Sequence, residues 1–346
     1  MKVGIIGYAG SGKTTIFSAL AGIDPEQVMA QKQSIWEVRV PDERIDRLSD
    51  MYNPKKTIYA TVQFVDVLSQ SVASGKAIDA AAIAKIREVD LLAIVVRGYE
   101  SEYQDKPADP KREAQSMLSE LLLSDMEIIE RKVARMQKDR SSEQEKALFQ
   151  KLQKGIEEEK WLKDMELDKS ELELLRGYQF LTLKPVVVIA NVSEDNISES
   201  KSADVEASLS DLGTPVFVLS GKVESEIALL DEESQAEFLS DLGIAATARD
   251  RFIRAAYKML DLISFFTVGE DEVRAWTVKK GSNAQESAGK IHTDLAKHFI
   301  RAERMRSEDL LELGSEAKVK EAGKFELKGK TYITEDGDIL HIRANA

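Results

Sequence analysis

The chain has 346 residues, of which 43% are hydrophobic and 32% are charged, and its net charge is −13. This length favours two or three domains, the composition excludes a disordered chain, and the acidic surplus disfavours nucleic-acid binding over the whole surface. The absence of cysteine excludes disulfides and thiolate metal sites. No apolar run could span a bilayer and no signal-peptide pattern opens the sequence, so we expect a cytoplasmic protein without membrane contact.

The first predicted elements form a phosphate-binding loop. Residues 2–6, KVGII, are typical of a buried strand, and residues 7–14, GYAGSGKT, match G-x-x-x-x-G-K-[ST] before a helical pattern. Backbone N–H groups of such a loop converge on an anion, and the helix N-terminus adds positive charge. We therefore expect a purine nucleoside triphosphate here, with Lys13 stabilising the phosphates and Thr14 binding Mg²⁺. The expected contacts are Gly7, Ala9, Gly10, Ser11, Gly12, Lys13, Thr14 and Thr15.

A second metal-side residue is predicted at the end of the next strand. Residues 58–66, IYATVQFVD, form a β-rich run that ends in Asp66. A P-loop domain needs an acidic residue at the end of a neighbouring strand to hold the metal through water. We therefore expect Asp66 to complete the Mg²⁺ site. The alternative is an ordinary aspartate in a strand-end turn.

Three further apolar runs, at 91–96, 186–190 and 216–219, predict buried strands of a doubly wound α/β nucleotide-binding domain made of residues 1–110 and 181–262. Ligands of such sheets bind beyond the strand ends. GTPases of this architecture have the motif N-K-x-D after the strand that corresponds to 186–190. Here residues 191–194 read N-x-x-E, which weakens guanine selection and favours adenine. The alternative is a simple polar turn. The expected base-side residues are Asn191, Val192, Glu194, Ser220, Gly221 and Lys222.

A helical insertion is predicted over residues 111–180, which lack proline and are rich in Glu, Lys, Leu and Met. Apolar residues recur with helical spacing in two stretches, and Ser142 and Glu145 have capping-box spacing at the start of the second. These patterns indicate an antiparallel helical hairpin. It serves either as a docking arm for a large partner or simply as two apolar faces that pair with each other.

The C-terminal part, residues 263–346, has short strand patterns with helical segments between them, which predicts a small α+β domain. Residues 290–306 contain five lysines or arginines and two acids. This basic segment could contact RNA phosphates, or it could be a solvated face. His292 and His298 within it make a poor zinc signature.

The sequence resembles, from end to end, the Obg-related YchF family of translation-associated P-loop ATPases. The resemblance lies in VPDERIDRLSDMYNPKKTIYATVQFVDV, KPVVVIANVSEDN, AAYKMLDLISFFTVGEDEVRAWTVKKG and IHTDLAKHFIRAE. It implies a coiled-coil insertion and a C-terminal TGS domain, a ubiquitin-like β-grasp module associated with RNA or ribosome contact. It also implies a preference for ATP through Asn191 and Glu194.

Four features depart from the family pattern. Gly10 stands where the family has asparagine, Ser69 replaces the glycine of D-x-x-G, and the glycine-rich switch after it is replaced at 70–76. Ile94 stands where the family has a histidine proposed to serve hydrolysis, and an aliphatic side chain cannot transfer a proton. We therefore expect nucleotide binding to be retained better than turnover, and potassium-assisted hydrolysis is in doubt.

The function expected from the sequence is a nucleotide-switched, monomeric factor that binds the ribosome or structured RNA and has weak ATPase activity. The triphosphate would order the segments near 25–35 and 67–80, and the hairpin and C-terminal domain would respond. The alternatives are an efficient hydrolase, an ordinary GTPase and a nucleotide-binding scaffold without turnover. A small-molecule kinase is disfavoured because no acceptor-binding or lid region is evident.

Overall fold

A computed structural model describes residues 1–24, 26–27, 35–67, 78–101, 107–136, 142–241 and 246–345. The strands are β1 (Lys2–Ile6), β2 (Ile35–Arg39), β3 (Lys56–Ile58), β4 (Thr61–Asp66), β5 (Leu91–Gly98), β6 (Val186–Val192), β7 (Val216–Leu219), β8 (Leu262–Thr267), β9 (Glu272–Lys279), β10 (Phe299–Arg306), β11 (Glu326–Lys328) and β12 (Asp338–Ala344).

The α-helices of the described chain follow the same order. They are α1 (Lys13–Ala21), α2 (Glu43–Tyr52), α3 (Ala80–Arg87), α4 (Pro110–Met136), α5 (Glu143–Glu157), α6 (Lys169–Leu175), α7 (Glu199–Ser208), α8 (Gly221–Ala228), α9 (Glu232–Asp241), α10 (Ala248–Met259), α11 (Ala284–Ile291), α12 (Thr293–Lys297), α13 (Ser307–Leu313) and α14 (Glu316–Glu321).

The first of two compact units, residues 1–38 with 63–249, is built on a six-stranded sheet in the order β2-β4-β1-β5-β6-β7. The strands from β4 to β7 in this order are parallel to their neighbours. β5 and β6 are buried on both faces, which agrees with their near-continuous runs of valine, isoleucine and leucine. The predicted doubly wound α/β fold is confirmed.

The helical hairpin is also confirmed. Lys132 of α4 pairs with Glu145 of α5 at 2.8 Å, so the end of one helix meets the start of the other and the two are antiparallel. Ser142 caps α5 by accepting a hydrogen bond from the Glu145 backbone N–H. The apolar faces pack on each other in a cluster that contains Ile129, Met136, Leu148, Phe149, Leu152 and Ile156. The sequence left open whether the apolar faces pair with each other or serve a docking arm. In the described residues the apolar faces of the two helices pack against each other.

The second unit, residues 39–62 with 250–346, has a mixed six-stranded sheet in the order β11-β10-β12-β8-β9-β3. β8 is antiparallel to β9 and parallel to β12, and β12 is antiparallel to β10. α11, which begins with a capping box of Asn283 and Glu286, packs Ala284 and Ala288 against Phe265 and Leu340 of this sheet. The predicted α+β domain is therefore present.

The division of the chain differs from the predicted one between residues 39 and 62. The sequence placed this segment in the nucleotide-binding domain, whereas the structure groups it with the C-terminal unit. The reason is that β3 forms a parallel ladder with β9, which pairs Lys56 with Glu272 and Ile58 with Arg274. α4 belongs partly to the nucleotide-binding domain and partly to the hairpin. Its residues Met117 and Leu121 pack on the first sheet, whereas the residues of its second half pack in the hairpin.

Candidate nucleotide-binding site

The loop from Gly7 to Gly12 joins β1 to α1 and requires glycine at both ends. Gly12 caps α1 in a left-handed conformation with φ of 84°, and a Cβ there would lie 2.1 Å from Nδ2 of Asn191. A Cβ on Gly7 would lie 2.3 Å from the carbonyl oxygen of Val95. Both distances are below any real Cβ contact, so the backbone follows this path only with glycine. The result is a tight loop that leads directly into α1, whose N-terminus carries the positive end of the helix dipole.

Lys13 is the cation of this loop. Its Nζ donates to the carbonyl oxygen of Tyr8 at 2.8 Å. Burial lowers the pKa of Lys13, and the carboxylates of Asp66 and Glu113 oppose that effect. The ammonium group thus lies at the loop. A phosphate oxygen there would be a stronger acceptor for it than the neutral carbonyl group of Tyr8. The side chain of Ser11 is buried nearby, and its Oγ has no hydrogen-bond partner within the described chain.

Asp66 lies at the carboxyl end of β4, opposite Ile5 of β1. It is only 2% exposed, and its Oδ1 has no hydrogen-bond partner among the residues that the structure describes. Burial raises the pKa of the Asp66 carboxyl group, although Lys13 and Lys85 lower it. A buried carboxylate without a partner carries an energetic cost, so it is a candidate ligand for a cation or its bound water.

Asn191 connects the two sides of the site. Its Nδ2 donates to the carbonyl oxygen of Ser11 at 3.0 Å, and its Oδ1 accepts from the backbone N–H of Gly221 at 2.9 Å. The side chain is buried and uses both ends of its amide group in these bonds. Asn191 therefore fixes the phosphate-binding loop to the loop after β7. The sequence predicted a base contact for this residue, and the structure adds this positioning role.

The remaining base-side residues divide into buried and exposed groups. Val192 and Ser220 are buried, and Gly221 lies so close to Ile16 of α1 that a Cβ would be 3.0 Å from its Cδ1. The side chains of Glu194 and Lys222 are 54% and 66% exposed, and they form an ion pair at 3.3 Å. These two charged groups lie at the ends of β6 and β7, where a base of an open α/β sheet binds.

Several residues of the site had no signal in the sequence. The hydroxyl of Tyr99, just after β5, donates to the carbonyl oxygen of Gly10 at 2.9 Å. The hydroxyl of Tyr8 donates to Oγ of Ser116 at 2.7 Å, and Glu113 accepts from the backbone N–H of Arg97 at 2.9 Å. These pairs join segments far apart in the chain, so no local motif could reveal them.

Two of the departures noted in the sequence can be located. Gly10 has φ of 81° and belongs to the phosphate-binding loop. Ile94 is fully buried within β5, in the apolar cluster that also contains Ile6 and Met117. Position 94 is therefore a core position. Ser69 and the segments 28–34 and 68–77 lie outside the described residues.

The basic segment of the C-terminal unit is less positive than its composition predicted. Arg304 is buried and bonds Asp338 at 2.7 Å and Glu335 at 3.0 Å. Arg306 also pairs with Glu335, and Lys297 pairs with Asp294 at 3.4 Å. The expected surplus of positive charge is thus largely neutralised, because acids more than 25 positions later fold back onto the two arginines.

Two further observations concern metals and membranes. Within the described ranges no group of three or more His, Asp or Glu side chains is arranged to hold a metal ion. An ion bound by one hydroxyl, waters and phosphate oxygens does not need such a group. No helix in the described part of the chain is both long and apolar enough to cross a bilayer.

Comparison with known proteins connects these features to a family. Residues 262–345 match YchF-GTPase_C, described as a protein of unknown function (DUF933). The chain is similar to the ribosome-binding ATPase YchF of Pasteurella multocida (strain Pm70), with 38% identity over 99% of each chain, and to its namesake in Bacillus subtilis (strain 168), with 36% identity over 100% and 99%. The structure of the Schizosaccharomyces pombe YchF GTPase matches with a TM-score of 0.88 and 30% identity over 99% of this chain and 97% of that one. On this full-length similarity, the chain belongs to the YchF family.

Proposed function

We propose that the protein is a cytoplasmic, monomeric P-loop ATPase that associates with the ribosome, binds Mg²⁺ with ATP and hydrolyses it slowly. The observation that carries this proposal is the arrangement of Lys13 and Asp66. Lys13 is the first residue of α1, and the buried Asp66 lies at the end of β4, beside β1, with its Oδ1 lacking a hydrogen-bond partner among the described residues. Relatives named ribosome-binding ATPase YchF, at up to 38% identity, support the choice of nucleotide and partner.

Mg²⁺ fits the residues that are present. The Thr14 hydroxyl would bind the ion directly and the Asp66 carboxylate would hold one of its waters. Oδ1 of Asp66 supports this assignment because it is a buried acceptor that receives no hydrogen bond from the part of the chain that the structure describes. When bound, the ion neutralises charge on the phosphate oxygens. Lys13 stabilises the same charge from the protein side, and the loop N–H groups orient the phosphates.

Slow turnover follows from what surrounds the phosphates. Lys13 and the loop N–H groups stabilise charge but cannot remove a proton from water at neutral pH. Ile94 is a buried aliphatic residue and cannot do so either. Among these described residues, backbone groups would therefore orient the attacking water. This arrangement favours a protein whose nucleotide state is long-lived enough to control a binding partner.

Replacing Asp66 by asparagine should weaken nucleotide binding about tenfold in Mg²⁺ and hardly at all in EDTA, because the amide cannot hold a metal-bound water as strongly as a carboxylate. In the wild type, the Mg²⁺-dependent part of the affinity should fall as pH decreases through the raised pKa of Asp66, since protonation removes the same charge. Titration with a fluorescent ATP analogue measures both effects. Asp168→Asn, at the residue that caps α6, is the matched control and should bind normally in both conditions.

Glu194 is proposed to favour adenine over guanine. It lies at the end of β6 with its carboxylate paired to Lys222 and exposed, so it is accessible to a base. Glu194→Asp recreates the shorter acid of N-K-x-D, which accepts from the guanine N1–H and amino groups. We expect the ratio of ATP to GTP affinity to fall about tenfold, the contribution of one charge-assisted hydrogen bond. The neighbouring swap Asp195→Glu should leave the ratio unchanged, and an unchanged ratio in Glu194→Asp would remove Glu194 from the base site.

Phosphate release under multiple turnover, with and without ribosomes, tests the function as a whole. Slow ATP hydrolysis that ribosomes change is the expected result. Rapid hydrolysis without ribosomes would indicate an autonomous hydrolase, preferred GTP turnover would indicate an ordinary GTPase, and binding without release in both conditions would indicate a scaffold. Ribosome contact is proposed for the hairpin and the C-terminal unit, where Lys290 and Arg301 are the exposed cations of the basic segment outside the ion pairs described above.

A further inference from the structure

A row of polar side chains along one face of α4 contacts the elements of the nucleotide site. These residues are spaced by three or four positions, which places them on the same side of a helix. The row, called here the α4 polar row, consists of Glu113, Ser116, Glu120 and Ser124. Each accepts a hydrogen bond from a different part of the first unit.

The first half of the row holds the phosphate-binding loop. Oγ of Ser116 accepts from the Tyr8 hydroxyl at 2.7 Å, and the carbonyl oxygen of Tyr8 accepts from Nζ of Lys13 at 2.8 Å. Tyr8 is therefore held at its side chain by α4 and at its backbone by the lysine that would bind phosphate. Burial raises the pKa of Tyr8, so its hydroxyl remains a donor at neutral pH. When Lys13 turns from the carbonyl group to a phosphate, Tyr8 keeps the backbone bond from the Ser11 N–H, and the Ser116 bond is what holds its side chain.

The second half of the row holds α3, the helix that follows Asp66 in the described chain. Oε2 of Glu120 accepts from the backbone N–H of Ile78 at 3.1 Å, just before α3 begins. Oγ of Ser124 accepts from Nη2 of Arg87 at 2.9 Å, where α3 ends. Arg87 also pairs at 2.8 Å with Asp125, which is fully buried. Both ends of α3 are thus attached to α4.

α4 carries these contacts into the hairpin. It has 27 residues and is about 40 Å long at 1.5 Å per residue. Met117 and Leu121 pack on the sheet of the first unit, whereas Ile129 and Met136 pack against α5. No break in the helix separates the two regions, so one continuous helix connects the Ser116 contact with the hairpin.

We propose that Ser116 and Glu120 are positioning residues of the nucleotide site, acting through Tyr8 and Ile78, and that they couple phosphate binding to the helical hairpin. This inference rests on the proposed function, because it requires a nucleotide in the loop. It assigns a reciprocal effect: a partner that holds the hairpin in one position changes nucleotide affinity by the same factor as the nucleotide changes the affinity for the partner.

Nucleotide affinity tests the Ser116 contact through a double-mutant cycle in the full chain. Tyr8→Phe and Ser116→Ala remove the same hydrogen bond, and each should raise the Kd for an ATP analogue about threefold. Because the bond is shared, the double variant should also lose about threefold, whereas independent effects would give about ninefold. Ser116→Thr keeps a hydroxyl and should restore the affinity. Ser119→Ala, on the same helix and also exposed, is the matched control and should bind as wild type.

Hydrogen exchange tests the coupling itself. Adding Mg²⁺ and ATP analogue to the wild type should slow amide exchange in residues 121–136 and 143–157, and Ser116→Ala combined with Glu120→Ala should reduce that protection by at least about half at saturating nucleotide. Glu120→Gln retains an acceptor and should behave as wild type. Wild-type protein that binds nucleotide without any change in hairpin exchange, or additive effects in the cycle, would overturn the coupling alone. Wild-type protein that binds no nucleotide would overturn the proposed function and the coupling together.

Discussion

Alanine at position 13 should weaken the binding of ATP and GTP analogues by up to about 100-fold. Lys13 provides the charged donor of the loop, and a hydrogen bond to a charged group contributes up to about 3 kcal/mol, or about 100-fold in Kd. Lys13 donates to the carbonyl oxygen of Tyr8 within the loop. The residues 7–12 include no other lysine or arginine, so no other side chain of the loop can supply its charge. Fluorescence titration in Mg²⁺ measures the change, and circular dichroism checks that the variant is folded.

Lys184 offers a matched control for this experiment. It is also a partly buried lysine whose pKa is lowered by burial, and its Nζ also donates to backbone carbonyl oxygens, those of Arg87 and Val89. Lys184→Ala should lower the thermal midpoint because it leaves these carbonyl groups without the donor. At a temperature where the variant is folded, its nucleotide affinity should match the wild type. Normal binding by Lys13→Ala would mean that the loop is not the phosphate site.

Gly12→Ala should eliminate measurable nucleotide binding and also destabilise the protein. The left-handed φ of 84° alone costs a residue with a Cβ about 1–2 kcal/mol. The added Cβ would also lie 2.1 Å from Nδ2 of Asn191, the atom that donates to the Ser11 carbonyl oxygen. Either the loop or Asn191 must move, and both changes disturb the N–H groups that would bind phosphate. Titration and thermal unfolding measure the two effects.

Gly213→Ala is a control that separates backbone strain from the steric clash of the added Cβ. Gly213 has a similar left-handed φ of 65°, but no atom lies within 4 Å of the position a Cβ would take. This variant should lose about 1–2 kcal/mol of stability and retain wild-type nucleotide affinity. If Gly12→Ala behaved in the same way, close packing against Asn191 would not matter for binding.

The elements with strong local patterns could be predicted from the sequence. β1, the glycine loop and α1 are consecutive and short, so their order alone defines the phosphate-binding motif. The strands at 91 and 186 are apolar because both of their faces are buried, and the shorter apolar run at 216 forms the half-buried edge strand beside them. The hairpin follows from helical spacing. Asp66 could be named as a candidate metal-side residue for the same reason, since a strand that ends in an acid is a local feature.

What the sequence could not reveal depends on contacts between distant residues. Tyr99 and Gly10 are separated by 89 positions and Tyr8 and Ser116 by 108, so neither hydrogen bond leaves a pattern in the sequence. The ion pairs of the basic C-terminal segment could not be predicted for the same reason. Counting charges within residues 290–306 omits Glu335 and Asp338, which neutralise Arg304. β3 is only three residues long, and it belongs to the C-terminal unit because it pairs with the distant strand β9.

The ladder between β3 and β9 affects how the protein can fold during its own synthesis. Residue 56 emerges from the ribosome more than 200 residues before residue 272, its neighbour in the sheet. At about 5–20 residues per second, this interval is roughly 10–40 s. Through that time β3 has no strand to pair with, while the parallel sheet on either side of it in sequence can already form. Completion of the second unit is therefore a late, non-local event, and nascent chains stalled before residue 272 should expose this segment to proteases.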